Sequence, residues 1–175
     1  MVGQSVAATD VEVSFDRGEL IVSKTDTKGR ITYANQVFCR VAGYTEKELL
    51  GQPHSIIRHP DTPRAVFKLV WDTLLEGREI FAYLKNLAKN GSFYWVFAHV
   101  TPSFDGNKQI VGFHSNRRLP NRKFVTNVIE PVYNDVLAEE RRHHNGQDAL
   151  AAGCKTFADI LQSKNVNYDE FIFSL

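Results

Sequence analysis

"IFAYLKNLAKNGSFYWVFAHVTPSFDGNKQIVGFHSNRR", residues 80–118, is the stretch whose reading decides the fold. It holds three runs rich in aromatic and β-branched residues, "IFAYLKNLA", "FYWVFAHVTPSF" and "QIVGFHSNRR", separated by "KNGS" and "DGNK". Asn90-Gly91 is a strong hairpin signal because both residues tolerate the positive φ of a tight turn. Asp105-Gly106-Asn107 is a second such cluster. The stretch therefore predicts three antiparallel strands in sequence.

Upstream, "ELIVSKTDTKGRITYANQVF" (19–38) reads as two more strands joined by a turn over Asp26 to Gly29. Two short helices follow in "NQVFCRVAGY" and "TEKELLG", with Asn35 and Thr45 as N-caps. Glu48, three residues after Thr45, completes a capping-box pattern, and Gly43 and Gly51 stand where helices end. Val66, Phe67, Val70, Trp71, Leu74 and Leu75 recur at helical spacing, with Asp61 or Thr62 as the expected cap and Pro63 in the first turn. Two strands, short helices, then a three-stranded meander predict an α+β fold: a five-stranded antiparallel sheet with helices on one face.

Beyond Arg118 the composition shifts. Phe124, Val128, Val132 and Val136, with Val125, Ile129, Tyr133 and Leu137, form a broad helical stripe that Pro131 should kink or divide. A second helical pattern runs through Leu150, Cys154, Phe157, Ile160 and Leu161. The expected organisation is an extension over 1–18, a main α+β domain over 19–119 and a helical extension over 120–175. The stripe is a candidate output element, a packing face, or a homodimer seam.

Composition excludes several classes. With 43% hydrophobic residues the chain can build a core, and 21 basic against 20 acidic residues argue against nucleic acid or an anionic membrane as partner. Cys39 and Cys154 form no metal or haem-attachment spacing. The start, "MVGQSVAATD", lacks the pattern of a secretory signal, and no apolar run reaches the roughly 18 residues of a spanning helix. A cytoplasmic protein without membrane insertion is expected. No GxSxG, HExxH or Walker loop occurs, so an enzyme is not expected.

The candidate site lies in "SIIRHPDTPR" (55–64). The residues alone leave two readings open. Asp61 can cap a helix while Arg58 and His59 are ordinary loop residues; or Arg58 and His59 can clamp a phosphate or carboxylate at a pocket mouth. Trp71 and the aromatic strands are core residues or the walls of a flat ligand. Asn86 would then offer an amide to the mixed donor and acceptor edge of a heterocycle such as flavin. His99 and His114 leave a haem ligand open.

The run from Thr25 to Arg78, above all "GQPHSIIRHPDTPR" (51–64), together with "KNLAKNGSFYWVFAHVTPSFD" (85–105), resembles the PAS domain of bacterial aerotaxis receptors over about Leu20 to Arg118. That resemblance implies a PAS fold, non-covalent FAD, and a report of redox, oxygen or energy state to a signalling partner such as a chemoreceptor or kinase. It places Arg58, His59, Asp61 and Trp71 in the flavin motif, and Asn86 at the isoalloxazine edge. Asn35 matches an asparagine after the second strand. Ser23 lies where a related redox sensor has a serine near the flavin, and His54 where that sensor has a glutamate. The family's Pro-Trp-Ser/Thr-Gly segment is replaced by "EIFAY", so Ile80 stands at the tryptophan position and Phe81 or Tyr83 is a candidate substitute wall. The receptors continue into a membrane anchor; this chain is expected to work as a standalone PAS partner. The alternatives are a haem-binding PAS gas sensor and a ligand-free PAS interaction module. Light-sensing relatives place an adduct-forming cysteine where this chain reads "HSIIRHP", so adduct photochemistry is not expected.

Overall fold

The computed structural model describes residues 6–175; the first five residues, part of the stretch read for a secretory signal and of the 1–18 extension, lie outside the described residues. Strands β1 (Ile21–Thr25) and β2 (Ile31–Ala34) are followed by helices α1 (Gln36–Ala42) and α2 (Glu46–Leu49), a 3₁₀ turn at His54–Ile57, and helix α3 (Arg64–Leu75). Strands β3 (Ile80–Leu87), β4 (Phe93–Phe104) and β5 (Ile110–Arg118) complete an antiparallel sheet in the order β2-β1-β5-β4-β3. The α+β class, the PAS-type sheet and its five strands are as the sequence predicts.

Local chemistry explains the boundaries. The Asn35 side chain accepts from Phe38 N at 2.9 Å and from Val22 N at 3.1 Å, so one residue both caps α1 and fixes the end of β1. Thr45 and Glu48 form the expected capping box. Gly29, at φ 75°, turns β1 into β2; a Cβ there would sit 3.0 Å from the Trp71 ring, so this glycine also makes room for α3.

Strands β3 and β4 pair without a register shift, and their residues alternate between the two faces. Ile80, Ala82, Leu84 and Asn86 of β3 face the same side as Tyr94, Val96, Ala98 and Val100 of β4, to which they are paired. Short helices α1 to α3 cover that inner face. Phe81, Tyr83, Trp95, Phe97 and His99 face the other side.

The C-terminal segment forms α4 (Arg122–Phe124), a π-turn at Val125–Ile129, then α5 (Glu130–Glu140), α6 (Gly146–Ser163) and α7 (Tyr168–Phe173). Pro131, in the first turn of α5, has no N–H to give the preceding turn, and the wide π-turn ends just before it. The stripe predicted on this helix is buried against its own chain: Val125, Ile129, Val132, Tyr133, Val136 and Leu137 all belong to the interior. That corrects the homodimer-seam reading, since the face is already filled. Tyr133 Oη donates to Tyr83 O at 2.6 Å and Tyr168 Oη to Phe81 O at 2.7 Å. Edge strand β3 would otherwise present those carbonyls unpaired. None of the described helices is long and apolar enough to cross a membrane.

Candidate functional site

Between the inner face of the sheet and α3 lies a cavity of about 480 Å³, within the range of small-molecule sites. Its sheet side is built by Ser23, Thr25, Leu84, Asn86, Val100, Phe113, Ser115 and Arg117. Phe67, Val70, Trp71 and Leu74 of α3 form the opposing wall, and Pro53 to Arg58 contribute a third side. Trp71 meets Phe113 edge-on at 5.3 Å, which fixes both rings.

Of the residues singled out in the sequence, Ser23, His54, Arg58, Trp71 and Asn86 line the cavity. His59, Asp61, Asn35 and Phe81 do not. His59 is buried beside Phe93 and accepts from Asp61 N through Nδ1 at 3.1 Å, so it shapes the loop rather than the cavity wall. Asp61 reaches Lys85 Nζ at 2.8 Å, tying that loop to β3. Asn35 is spent on the cap of α1 and the end of β1.

Phe81 corrects an expectation. It lies on the outer face, 4.2 Å from the His99 ring and 4.9 Å from Phe173 of α7, so it cannot replace the missing tryptophan wall. Ile80 is the residue on the inner face. His99 and His114 are likewise off the cavity wall, which removes them as ligands to a group bound there. Among the described residues no cluster of His, Cys, Asp and Glu is placed to hold a metal ion.

The expected helix cap is also corrected. Thr62 Oγ1 donates to Lys85 O at 2.8 Å and Asp61 is engaged by Lys85, so neither caps α3. The first turn is served by Glu140, from the end of α5. Its carboxylate accepts from Arg64 N at 3.1 Å and Ala65 N at 2.9 Å. Glu140 is only 6% exposed. The C-terminal extension thus clasps the helix that walls the cavity, and Leu150 of α6 adds to the cavity lining.

Electrostatically the cavity is one-sided. Lys28, Arg58, Arg64, Lys68 and Arg117 line it, with no carboxylate among the lining residues, though Lys68 Nζ is paired with Asp72 at 2.7 Å outside the lining. Arg58 lies 4.2 Å over the Phe67 ring, which holds the guanidinium at the wall. Asn86 Nδ2 is buried with no partner. Deeper in, His54 Nε2 and Ser23 Oγ are 3.3 Å apart, and Arg117 Nη2 donates to the same hydroxyl. Enclosure of the His54 ring, reinforced by the Arg117 charge, pulls its pKa down to about 3. Ser23 thus stands beside an imidazole, but one held at about 3 is a poor proton acceptor at neutral pH. Cys39 and Cys154 lie off the cavity wall. Sequence reasoning missed Lys28, Arg64, Lys68, Ser115, Arg117 and Glu140.

An antiparallel sheet with a ligand-sized cavity between its inner face and one helix defines a domain of α+β class. Residues 31–117 match the family described as the PAS fold, and the chain belongs to that family. It is 40% identical to the aerotaxis receptor of Escherichia coli (strain K12) over 128 residues, covering 72% of this chain and 25% of the receptor. Identity to the nitrogen fixation regulatory protein of Klebsiella pneumoniae is 36% over 87 residues, or 50% of this chain and 18% of that one. The chain thus spans a quarter or less of these relatives. Among solved structures, a light-oxygen-voltage domain studied with a flavin analogue matches with TM-score 0.56 at 23% identity, over 66% of this chain and 86% of that one. The light-state aureochrome1 light-oxygen-voltage domain gives 0.57 at 23% identity, over 63% and 89%. These two likenesses establish the fold.

Proposed function

We propose that this chain is a cytoplasmic sensory PAS protein that binds FAD non-covalently and signals redox, oxygen or energy state to a partner such as a chemoreceptor or kinase. The observation that carries the reading is the cavity itself: aromatic walls, a buried Asn86 amide with an unpartnered Nδ2, and cations unopposed by any lining carboxylate. Those features fit a flavin. Trp71, Phe113 and Leu84 would hold the planar ring, and the Asn86 amide would donate to its heteroatom edge. Arg58, Arg64 and Lys68, nearer the surface, suit the phosphates of a dinucleotide. When bound, the flavin would supply reversible electron uptake.

The chain's own residues supply the route outward. Arg58 is bridged to Asn86 by backbone pairing, so a shift of the β3 backbone at Asn86 would reach the 55–64 loop. That loop leads into α3, and the first turn of α3 is held by Glu140 of the C-terminal extension. A partner reading the position of α5 and α6 would therefore read the cavity.

The test is spectroscopic. The purified chain is incubated with FAD, desalted, and its absorbance recorded before and after dithionite. Retained flavin bands in the blue and near ultraviolet that bleach on reduction are expected. A colourless protein after reconstitution, or an intense haem band as purified, would refute the reading.

A further inference from the structure

We propose that Arg117 is the charge-compensating residue of this cavity, placed to hold the negative charge that a bound flavin ring carries after reduction, so that the site favours reduced over oxidised flavin. The proposal rests on the flavin reading above and adds to it a residue and a preference.

Arg117 is 1% exposed, on the inner face of β5 between Ile21 and Ala98. One amino group donates to Ser23 Oγ, and the guanidinium lies 4.5 Å over the Phe38 ring. Its Nε and Nη1 have no partner. A buried cation with two idle donors is costly unless an anion faces it. None does among the described residues. No carboxylate lines the cavity. His54 stays neutral, and burial keeps the nearby Tyr94 hydroxyl protonated by raising its pKa well above the usual phenol value. Burial lowers the Arg117 pKa only to about 10, so the guanidinium remains charged at neutral pH.

The missing anion must come from the ligand, and depth says which part. Arg117 is buried against the sheet, whereas Arg58, Arg64 and Lys68 stand nearer the surface, where phosphates would lie. Uptake of two electrons from a reductant and one proton at N5 leaves an isoalloxazine ring with one negative charge, shared over its N1 and C2 carbonyl edge. Oxidised flavin carries no charge there. A buried cation lining the cavity would therefore bind the reduced ring more tightly and raise the midpoint potential.

The test uses the full chain reconstituted with FAD, as wild type, Arg117→Met, Arg117→Gln and Arg117→Lys, with midpoints from dye-coupled dithionite titration. Arg117→Met should lose roughly 100-fold in preference for the reduced ring, a midpoint about 60 mV more negative. Arg117→Lys keeps the charge and should stay nearer the wild-type midpoint than Arg117→Met. Thermal melts of the apoproteins are run alongside, and Arg117→Met should be at least as stable as wild type because an unpaired buried charge has gone. An unchanged midpoint in Arg117→Met, or in Arg117→Gln if Arg117→Met takes up no flavin, would overturn the proposal. Failure of the wild type to take up flavin refutes the flavin reading itself, and the apoprotein melts then decide Arg117 separately. A less stable Arg117→Met would make the residue structural and overturn its role; an equally or more stable one would keep it as a charge reserved for a ligand anion.

Discussion

The clasp between Glu140 and α3 gives the sharpest test of how the C-terminal extension is joined to the sensor domain. Glu140→Ala removes two charge-assisted bonds, to Arg64 N and Ala65 N, and leaves both donors without an acceptor in a buried site. Bonds to charged groups contribute about 1.5–3 kcal/mol each, but the two share one carboxylate, and water can reach part of the vacated space. A loss of about 3 kcal/mol follows, or a fall of roughly 6–12 °C in Tm for a chain of this length. Glu140→Gln keeps an acceptor and forfeits the charge at the helix N-terminus, so it should lose about half as much. Gly153 supplies an internal check. An added Cβ there would lie 2.6 Å from Glu140 Cγ and Oε1, so Gly153→Ala must displace the carboxylate and is expected to destabilise the wild type. In the Glu140→Ala background that clash is gone, and the same change should stabilise α6 by up to about 1 kcal/mol through helix propensity. Urea unfolding followed by far-ultraviolet circular dichroism measures all four members of the cycle. Equal effects of Gly153→Ala in both backgrounds, or a Glu140→Ala change below about 0.5 kcal/mol, would refute the clasp.

Asn86→Leu should abolish or severely weaken FAD retention while leaving the apoprotein folded, since it replaces an unpartnered buried amide by an apolar group of similar size; equilibrium dialysis with FAD measures it. Phe81→Leu should leave FAD affinity unchanged and lower Tm by several degrees, because the ring packs on His99 and Phe173 and not on the cavity; a tenfold loss of FAD affinity would contradict that placement. The apoprotein should lose stability as pH falls from 6.5 toward 4. Burial, aided by Arg117, holds His54 at about 3, and burial, aided by Lys85, holds His59 at about 4. In that window the unfolded chain binds protons that the folded chain refuses, so each histidine contributes at most about 1.4 kcal/mol per pH unit. His54→Gln should flatten the slope by one proton in urea titrations across that range, and an unaltered slope would show that His54 titrates normally.

The fold was legible because its signals are local. Asn90-Gly91, the Asn35 cap and the Thr45–Glu48 capping box each act within a few residues, and each is realised in the structure. The α3 cap was misread because its true partner lies 76 residues from Arg64 in sequence. Nothing local distinguishes Asp61 as a cap from Asp61 as a partner of Lys85. Pro63 at the helix start left the N-terminal donors open to whatever acceptor tertiary packing delivered.

Phe81 and Arg117 were hidden in different ways. Phe81 was readable: once Asn86 is assigned inward, strand alternation sends any residue an odd number of positions away to the outer face. Aligning "EIFAY" to the family segment invited the opposite placement, and strand geometry overrules it. Arg117 followed the same alternation from Phe113 and Ser115, and Arg118 is the exposed member of the pair. Composition argued against burying it, because an arginine at a strand end is ordinarily solvated. Only the three-dimensional lining shows that no acid waits for it. The residue that sequence rules most readily assign to solvent is thus the one whose burial says most about the ligand.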